Sequence, residues 1–187
     1  MNQRLKEMII RCIILNSDVR IEIHDAEQEY TVNGNPVEVG LFNYLISRNI
    51  NVQAELVKRE RNYEVLTVIP FSQTRKSMTV CYFSKEHQNV IVVVKGAPEN
   101  VVAMTTYQAD SFNDPVEFHG TGKQGATYNK EYVSDLIARS GNKPLTFAFK
   151  TISFGEYTQL KKDNYDFETE EGLACLQSGL TLLATFG

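Results

Sequence analysis

Ile69-Pro-Phe-Ser-Gln-Thr-Arg-Lys-Ser-Met-Thr-Val-Cys-Tyr-Phe83, a short polar gap, then Asn89-Val-Ile-Val-Val-Val-Lys-Gly-Ala-Pro-Glu99: this stretch organises the chain. Tyr63 to Phe71, Met78 to Phe83 and Val90 to Val94 are short runs rich in Val, Ile, Phe and Tyr, with turn-forming residues between them. β-Branched and aromatic side chains pack well on a pleated surface, so such runs predict strands of one antiparallel sheet. At the sheet's ends fall Phe71, Arg75, Lys76 and Lys95. From Phe71 to Lys95 there are four basic residues (Arg75, Lys76, Lys85, Lys95) and one acidic, Glu86. That is +3 inside a chain of net charge −4, leaving −7 elsewhere. A basic, ring-bearing patch on an acidic protein points to an anionic ligand with a flat ring, and a nucleotide fits.

Outward from this stretch, Leu5, Met8, Ile9, Cys12 and Ile13 recur at helical spacing and predict an amphipathic helix ending near Asn16-Ser17-Asp18. Val19 to Ile23 alternates with period two and reads as a strand, with Tyr30 to Val32 as its hairpin partner. Asn35 reads as an N-cap, Pro36 as the first helical residue and Glu38 as the third, opening a helix to about Ser47. Residues 50 to 61, with the charge run Lys58-Arg-Glu-Arg61, read as a solvated linker. Pro98 opens a helix carrying Val101, Val102 and Met104, and residues 107 to 125 read as a polar, Gly-rich loop or arm. Tyr128 to Arg139 fits a helix, Leu145 to Phe149 a strand, Phe154 to Lys162 a helix and Leu180 to Phe186 a closing strand. The expected fold class is α+β, a twisted antiparallel sheet flanked by helices, as one domain over 1–187.

With 187 residues and 42% apolar content, the chain can bury a sizeable core. Net charge −4 argues against a general nucleic-acid binder. The three Cys stand in apolar contexts without metal spacing and read as buried thiols in a reducing compartment. His24, His87 and His119 share no short-range metal spacing and read as surface residues. The N-terminal stretch has charges within its apolar run, unlike a signal peptide or anchor, and no run approaches bilayer-spanning length. His119-Gly-Thr-Gly-Lys-Gln124 resembles a P-loop only superficially, since Glu117 and Gln124 stand where Gly and Ser or Thr are needed.

F-S-x-x-R-K-S-M from Phe71, V-V-V-K-G-A-P-E to Glu99, G-N-P-V-E-V-G-L at Gly34 to Leu41 and the closing S-G-L-T-L-L-A-T-F-G together resemble the nucleotide-binding domain of P-type cation-transporting ATPases. The tone is nearest to calcium pumps of the plasma-membrane type. The resemblance implies a cytoplasmic, monomeric piece of an integral membrane pump. It would bind ATP (Mg-ATP in the full pump) and present the γ-phosphate to a phosphorylation domain, with an actuator domain as further partner. The family's D-K-T-G-T motif and Mg-binding aspartates do not occur here. Phosphoryl transfer needs an acceptor carboxylate and metal neutralisation, so this chain alone is expected to hold ATP without hydrolysing it.

The residues implied for ATP are Glu38, Phe71, Gln73, Arg75, Lys76, Met78, Lys95, Gly96 and Lys143. Glu38 shares the inward stripe of Leu41, Phe42 and Leu45; it either approaches the adenine amine or merely caps its own helix. Phe71, before a polar turn, is either a stacking platform, worth about 1–3 kcal/mol, or an ordinary core ring. Lys76 reaches purine or phosphates, or is a plain surface lysine. Lys95 ends an apolar run, so its ammonium is expected to surface beside Gly96, whose missing Cβ leaves backbone open to a ligand, and beside the start of the Pro98 helix. Arg75 is expected to pair with an acidic group, and Met78 to pack behind Phe71. Lys143 and Gln73 stand where the family often has arginines, and lysine lacks the bidentate fork, so phosphate grip is expected to be weak. One stack and a few charge-assisted bonds, set against the cost of association, imply roughly sub-millimolar to millimolar affinity. The alternatives are an interaction module on the same fold that has lost nucleotide binding and, less favoured, an autonomous hydrolase.

Overall fold

The computed structural model describes residues 3–24, 29–109, 115–117, 135 and 144–187. In chain order these form α1 (Gln3–Leu15), the hairpin β1 (Arg20–His24) and β2 (Glu29–Asn33), α2 (Pro36–Ser47), α3 (Val52–Asn62), β3 (Tyr63–Ile69), β4 (Ser77–Ser84), β5 (Asn89–Gly96), α4 (Pro98–Ala103), β6 (Thr105–Ala109), β7 (Pro115–Glu117), β8 (Leu145–Ser153), α5 (Phe154–Asp163), a 3-10 turn (Tyr165–Phe167), α6 (Glu170–Gln177) and β9 (Leu180–Phe186). The main sheet runs β3-β4-β5-β8-β9-β6-β7, and β1-β2 stands apart as its own pair. Every neighbouring pair is antiparallel except β6 and β9, which run parallel. The α+β fold read from the sequence is the one observed.

Helices cover both faces of this sheet. Val80, Tyr82, Ile91, Val93, Phe147 and Phe149 face α1, α2 and α3 through Ile13, Leu15, Phe42, Leu45, Val52 and Leu56. Cys81, Val90, Val92 and Ile152 face the other way, onto Tyr157 of α5 and Leu173 and Leu176 of α6. A strand buried on both sides has no wet face, which is why Val90 to Val94 is uninterrupted Val and Ile. β3 is the sheet's edge, where Val65 and Val68 stay exposed and the register shifts between Val65 and Thr67. Such a shift twists an edge and discourages further pairing.

Residues 50 to 61 are not a linker. Asn51 Oδ1 accepts from Ala54 N at 2.9 Å and caps α3, while Val52 and Leu56, four apart, are buried. The charge run is mostly solvated, but Arg59 turns back to donate to the carbonyls of Ile14 (3.1 Å) and Ser17 (2.9 Å), closing the C-terminal end of α1. The segment expected as a loop from residue 107 begins inside β6 and contains β7. α6 had not been anticipated; Thr169 caps it by accepting from Gly172 N at 3.0 Å. The helix expected over Tyr128 to Arg139 lies outside the described residues, apart from Asp135, and so does the stretch from His119 to Gln124. His87 is exposed, as expected, whereas the side chains of His24 and His119 lie outside the described residues. Among the described residues no helix is long and apolar enough to cross a membrane.

The cysteines divide. Cys12 and Cys81 are buried, and burial pushes both thiols up to about 12. Cys175 is exposed, contrary to the sequence reading, because Leu173 and Leu176 take the inward face of α6. Since the thiolate is the reactive form, a disulfide-exchange reagent at pH 8 should label one thiol in the folded chain and all three after denaturation. Cys175→Ser should abolish the native label, and rapid native labelling of two or more thiols would contradict this packing.

Candidate functional site

The sheet registers bring the implied residues to one end. Ser77 pairs with Gly96, and Gly96 pairs with Thr146, so the start of β4, the end of β5 and the start of β8 lie side by side. The loop from Pro70 to Lys76 leaves β3 at the same end. It is held there by Lys76 N donating to Ser72 O (2.7 Å) and by Ala97 N donating to Lys76 O (2.9 Å). Phe71 lies in this loop with 54% of its surface exposed, so it is not a core ring. Gln73 is exposed in the same turn. Lys76 is exposed and left-handed, with φ 49°, a conformation that disfavours side chains other than glycine and asparagine. Its Nζ is 4.0 Å from Glu99 Oε1 in the first turn of α4. Lys143 lies outside the described residues.

Beneath this rim is a buried ion pair. β5 alternates, so Ile91 and Val93 face α1 to α3, and two residues on Lys95 faces the same way. Lys95 is therefore 7% exposed, and its Nζ meets Glu38 Oε1 at 2.5 Å and the Asn16 carbonyl at 2.5 Å. Glu38, 3% exposed, enters from the first turn of α2, where Asn35 Oδ1 accepts from its main-chain N at 3.0 Å. Its other oxygen accepts from Asp18 N at 3.2 Å. Burial pushes the Lys95 ammonium below its ordinary pKa, and the hydrogen bond and charge of Glu38 raise it part of the way back. The pair joins β5, α2 and the turn between α1 and β1.

Several expectations change. The Lys95 ammonium does not surface; period-two alternation carries it inward to Glu38. Glu38 keeps its inward place but does not use its carboxylate to cap α2. Gly96 is buried and not an open backbone: a Cβ there would lie 2.3 Å from the Lys76 carbonyl, so the missing side chain makes room for the chain's own loop. α4 has no side-chain cap. Its N-cap residue, Ala97, gives its amide to the Lys76 carbonyl, and Glu99 in its first turn lies near the Lys76 ammonium. Arg75 donates from Nη2 to the Pro70 carbonyl at 2.8 Å instead of to a carboxylate, bracing the Phe71 loop. Met78, cross-strand neighbour of Lys95, packs on the α1–α3 core, and its carbonyl takes the Asn16 amide at 3.3 Å.

Asn16 is the residue the sequence reading missed. It is fully buried, and its Nδ2 bridges the carbonyls of Met78 (3.3 Å) and Val93 (3.1 Å). Its only signal in sequence was a polar residue directly after an apolar run, which reads as a helix end. Clefts form elsewhere. One of ≈ 460 Å³ lies between α1 and α3, and one of ≈ 490 Å³ between α2 and the ends of β8 and β9, lined by Pro36, Leu41, Tyr44, Leu145 and Phe186. Neither is lined by Phe71, Lys76 or Lys95. Among the described residues the rim carries an exposed ring and an exposed lysine, with the buried Lys95–Glu38 pair beneath them.

The chain belongs to the P-type ATPases: residues 4–187 match the family described as P-type ATPase, cytoplasmic domain N. No curated protein matches it. Membership gives the chain the role of a nucleotide-binding domain, and it makes the parent protein an ATPase.

Removing one partner of a buried pair strands the other charge, whereas replacing both by apolar residues is close to neutral. Lys95→Met and Glu38→Leu should each lower the free energy of urea unfolding by about 3–5 kcal/mol. The double variant should lose far less than the sum. Additive losses would show that the two side chains do not depend on each other.

Proposed function

We propose that this chain binds ATP, with adenine stacked on Phe71 and the phosphates directed past Lys76 and Lys143, and presents the γ-phosphate to the phosphorylation domain of a cation pump. The observation that carries this is the exposure of Phe71: a large ring left half in water among the described residues, on a loop braced by Arg75 and Lys76, is available for stacking. Glu38 supplies a carboxylate suited to the exocyclic amine of adenine, an acceptor that would repel the O6 carbonyl of guanine. Gln73, Met78 and Gly96 shape the loop and its footing and do not bind charge. Magnesium would arrive with the nucleotide. In this reading the domain is the cytoplasmic ATP carrier of an integral membrane pump, working with phosphorylation and actuator domains. The motifs do not name the transported cation; calcium enters this reading only through the resemblance of the chain to calcium pumps of the plasma-membrane type.

The closed floor supports a second reading. Lys95 and Glu38 already satisfy each other, and no cleft described above reaches the Phe71 loop. A domain that has lost nucleotide binding and serves as an interaction module would look the same.

Titration with ATP to several millimolar separates the two. Amide NMR shifts centred on residues 71–76 are expected, and silence throughout selects the interaction module. Phe71→Ala should weaken ATP by about 5- to 150-fold, the worth of one base stack. Unchanged affinity in that variant removes Phe71 from the site.

A further inference from the structure

The cleft between α1 and α3 gathers side chains that helical spacing sets in line. Lys6, Ile10, Arg11 and Ile14 recur every three or four residues along α1, and Glu55, Lys58, Arg59 and Asn62 do the same along α3. Lys85 ties the β4–β5 turn to the end of α3, its N donating to the Asn62 carbonyl at 2.9 Å and its Nζ to that of Arg61 at 3.1 Å. Glu86 thereby joins Tyr63 in lining the cleft. Its volume of ≈ 460 Å³ falls within the range of small-molecule sites, about 300–1,000 Å³.

Most charges in the lining are spent. Glu7 accepts from Gln3 Nε2 at 2.8 Å, Glu55 holds Lys58, and Arg59 gives its donors to the Ile14 and Ser17 carbonyls. Lys6 and Arg11 are different: both are partly buried, and neither has a hydrogen bond or ion pair among the described residues. Arg11 stands four residues after Glu7, the spacing that favours a helical ion pair, yet Glu7 goes to Gln3. The Asn62 amide and the Tyr63 hydroxyl also lack partners among the described residues. Burial pushes the Tyr63 hydroxyl above its ordinary pKa, while Arg11 pulls it down and Glu86 adds to the rise, so it stays an O–H donor at neutral pH. Two unspent cations thus face one unspent acid, Glu86, beside an apolar wall that includes Ile10, Ile14 and Ile50.

We infer that this cleft binds a small organic anion, its carboxylate or phosphate head held by Arg11, Lys6 and the Tyr63 hydroxyl and its apolar body laid on Ile10 and Ile50. A guanidinium fork suits either head, and the isoleucines give the body a surface that a bare inorganic ion would not use. Glu86 repels further negative charge, which sets this site apart from one for a triphosphate. None of Phe71, Lys76 and Lys95 lines the cleft, so the inference stands or falls independently of the ATP reading.

The test is an NMR titration of the intact chain to several millimolar with benzoate, phenyl phosphate and inorganic phosphate. One or both organic anions should shift the amides of residues 10, 11, 62 and 63 and the Asn62 side-chain amide, leaving residues 71–76 unmoved; which of the two binds tighter names the head. Inorganic phosphate should bind far more weakly. Arg11→Gln should weaken the organic anion by about 10-fold or more, the worth of a charge-assisted hydrogen bond. Tyr63→Phe, which keeps the ring against Tyr82, should weaken it by about 2- to 12-fold, the range of one neutral hydrogen bond. Silence at the cleft with both organic anions overturns the inference. Equal affinity for inorganic phosphate overturns it too, as does binding that neither substitution weakens. Should a variant fail to fold, the shift map of the unaltered protein decides the matter.

Discussion

One buried ammonium sets the terms for the end of the sheet where the implied site lies. Taking a lysine head out of water costs several kcal/mol unless a carboxylate and further acceptors replace the solvent. Lys95 has Glu38 and the Asn16 carbonyl for that purpose. The requirement fixes more than two side chains. Glu38 can reach Lys95 only if α2 begins where Asn35 caps it, and Asn16 only if α1 ends against β4 and β5. The turn from α1 into β1 is then pinned from three sides: by Asp18 N on Glu38, by Asn16 on the sheet and by Arg59 on the Ser17 carbonyl.

The rim above is fixed by different means. Its loop is tied to β5 through the Lys76 carbonyl on Ala97 N, at a distance that only a glycine at position 96 permits. Arg75 folds back on Pro70, and Ser72 Oγ accepts from Arg75 N at 3.1 Å. These bonds are local, so the loop holds its shape without burying Phe71. The result is a firm but exposed ring. The left-handed φ of Lys76 belongs to the same arrangement, since strain of that kind persists only where surrounding bonds over-determine it.

Much of this was legible in the residues. Runs rich in β-branched and aromatic residues announced β4 and β5 and Asn35-Pro36 announced α2, whereas the polar turn after Ile69 left Phe71 open between a stacking platform and a core ring. The failures have physical causes. α3 rests on two buried residues, Val52 and Leu56, and the charge run after them outweighed that thin signal, although Asn51 was a serviceable cap. β6 gains its identity from parallel pairing with β9, about seventy-five residues later in sequence, which no local pattern reveals. Lys95 was misplaced by chemistry overriding geometry. A lysine reads as a surface residue, yet counting by twos from Ile91 and Val93 puts it on the inward face. Gly96 was read toward a ligand when its register partner, Ser77, already supplied the reason for it.

Closed floor and open rim also bear on how tightly such a domain can hold a nucleotide. A single exposed ring offers one stack, and surface lysines offer screened charge, so neither gives strong retention. Under the ATP reading Glu38 would bring discrimination more than affinity, because its carboxylate already accepts from the Asp18 amide and from Lys95. The base would then rest chiefly on the exposed ring. A domain that must take up a nucleotide, offer its terminal phosphate elsewhere and release what remains is better served by such a rim than by a deep pocket. Each added kcal/mol of grip on the base would slow the release that the cycle requires.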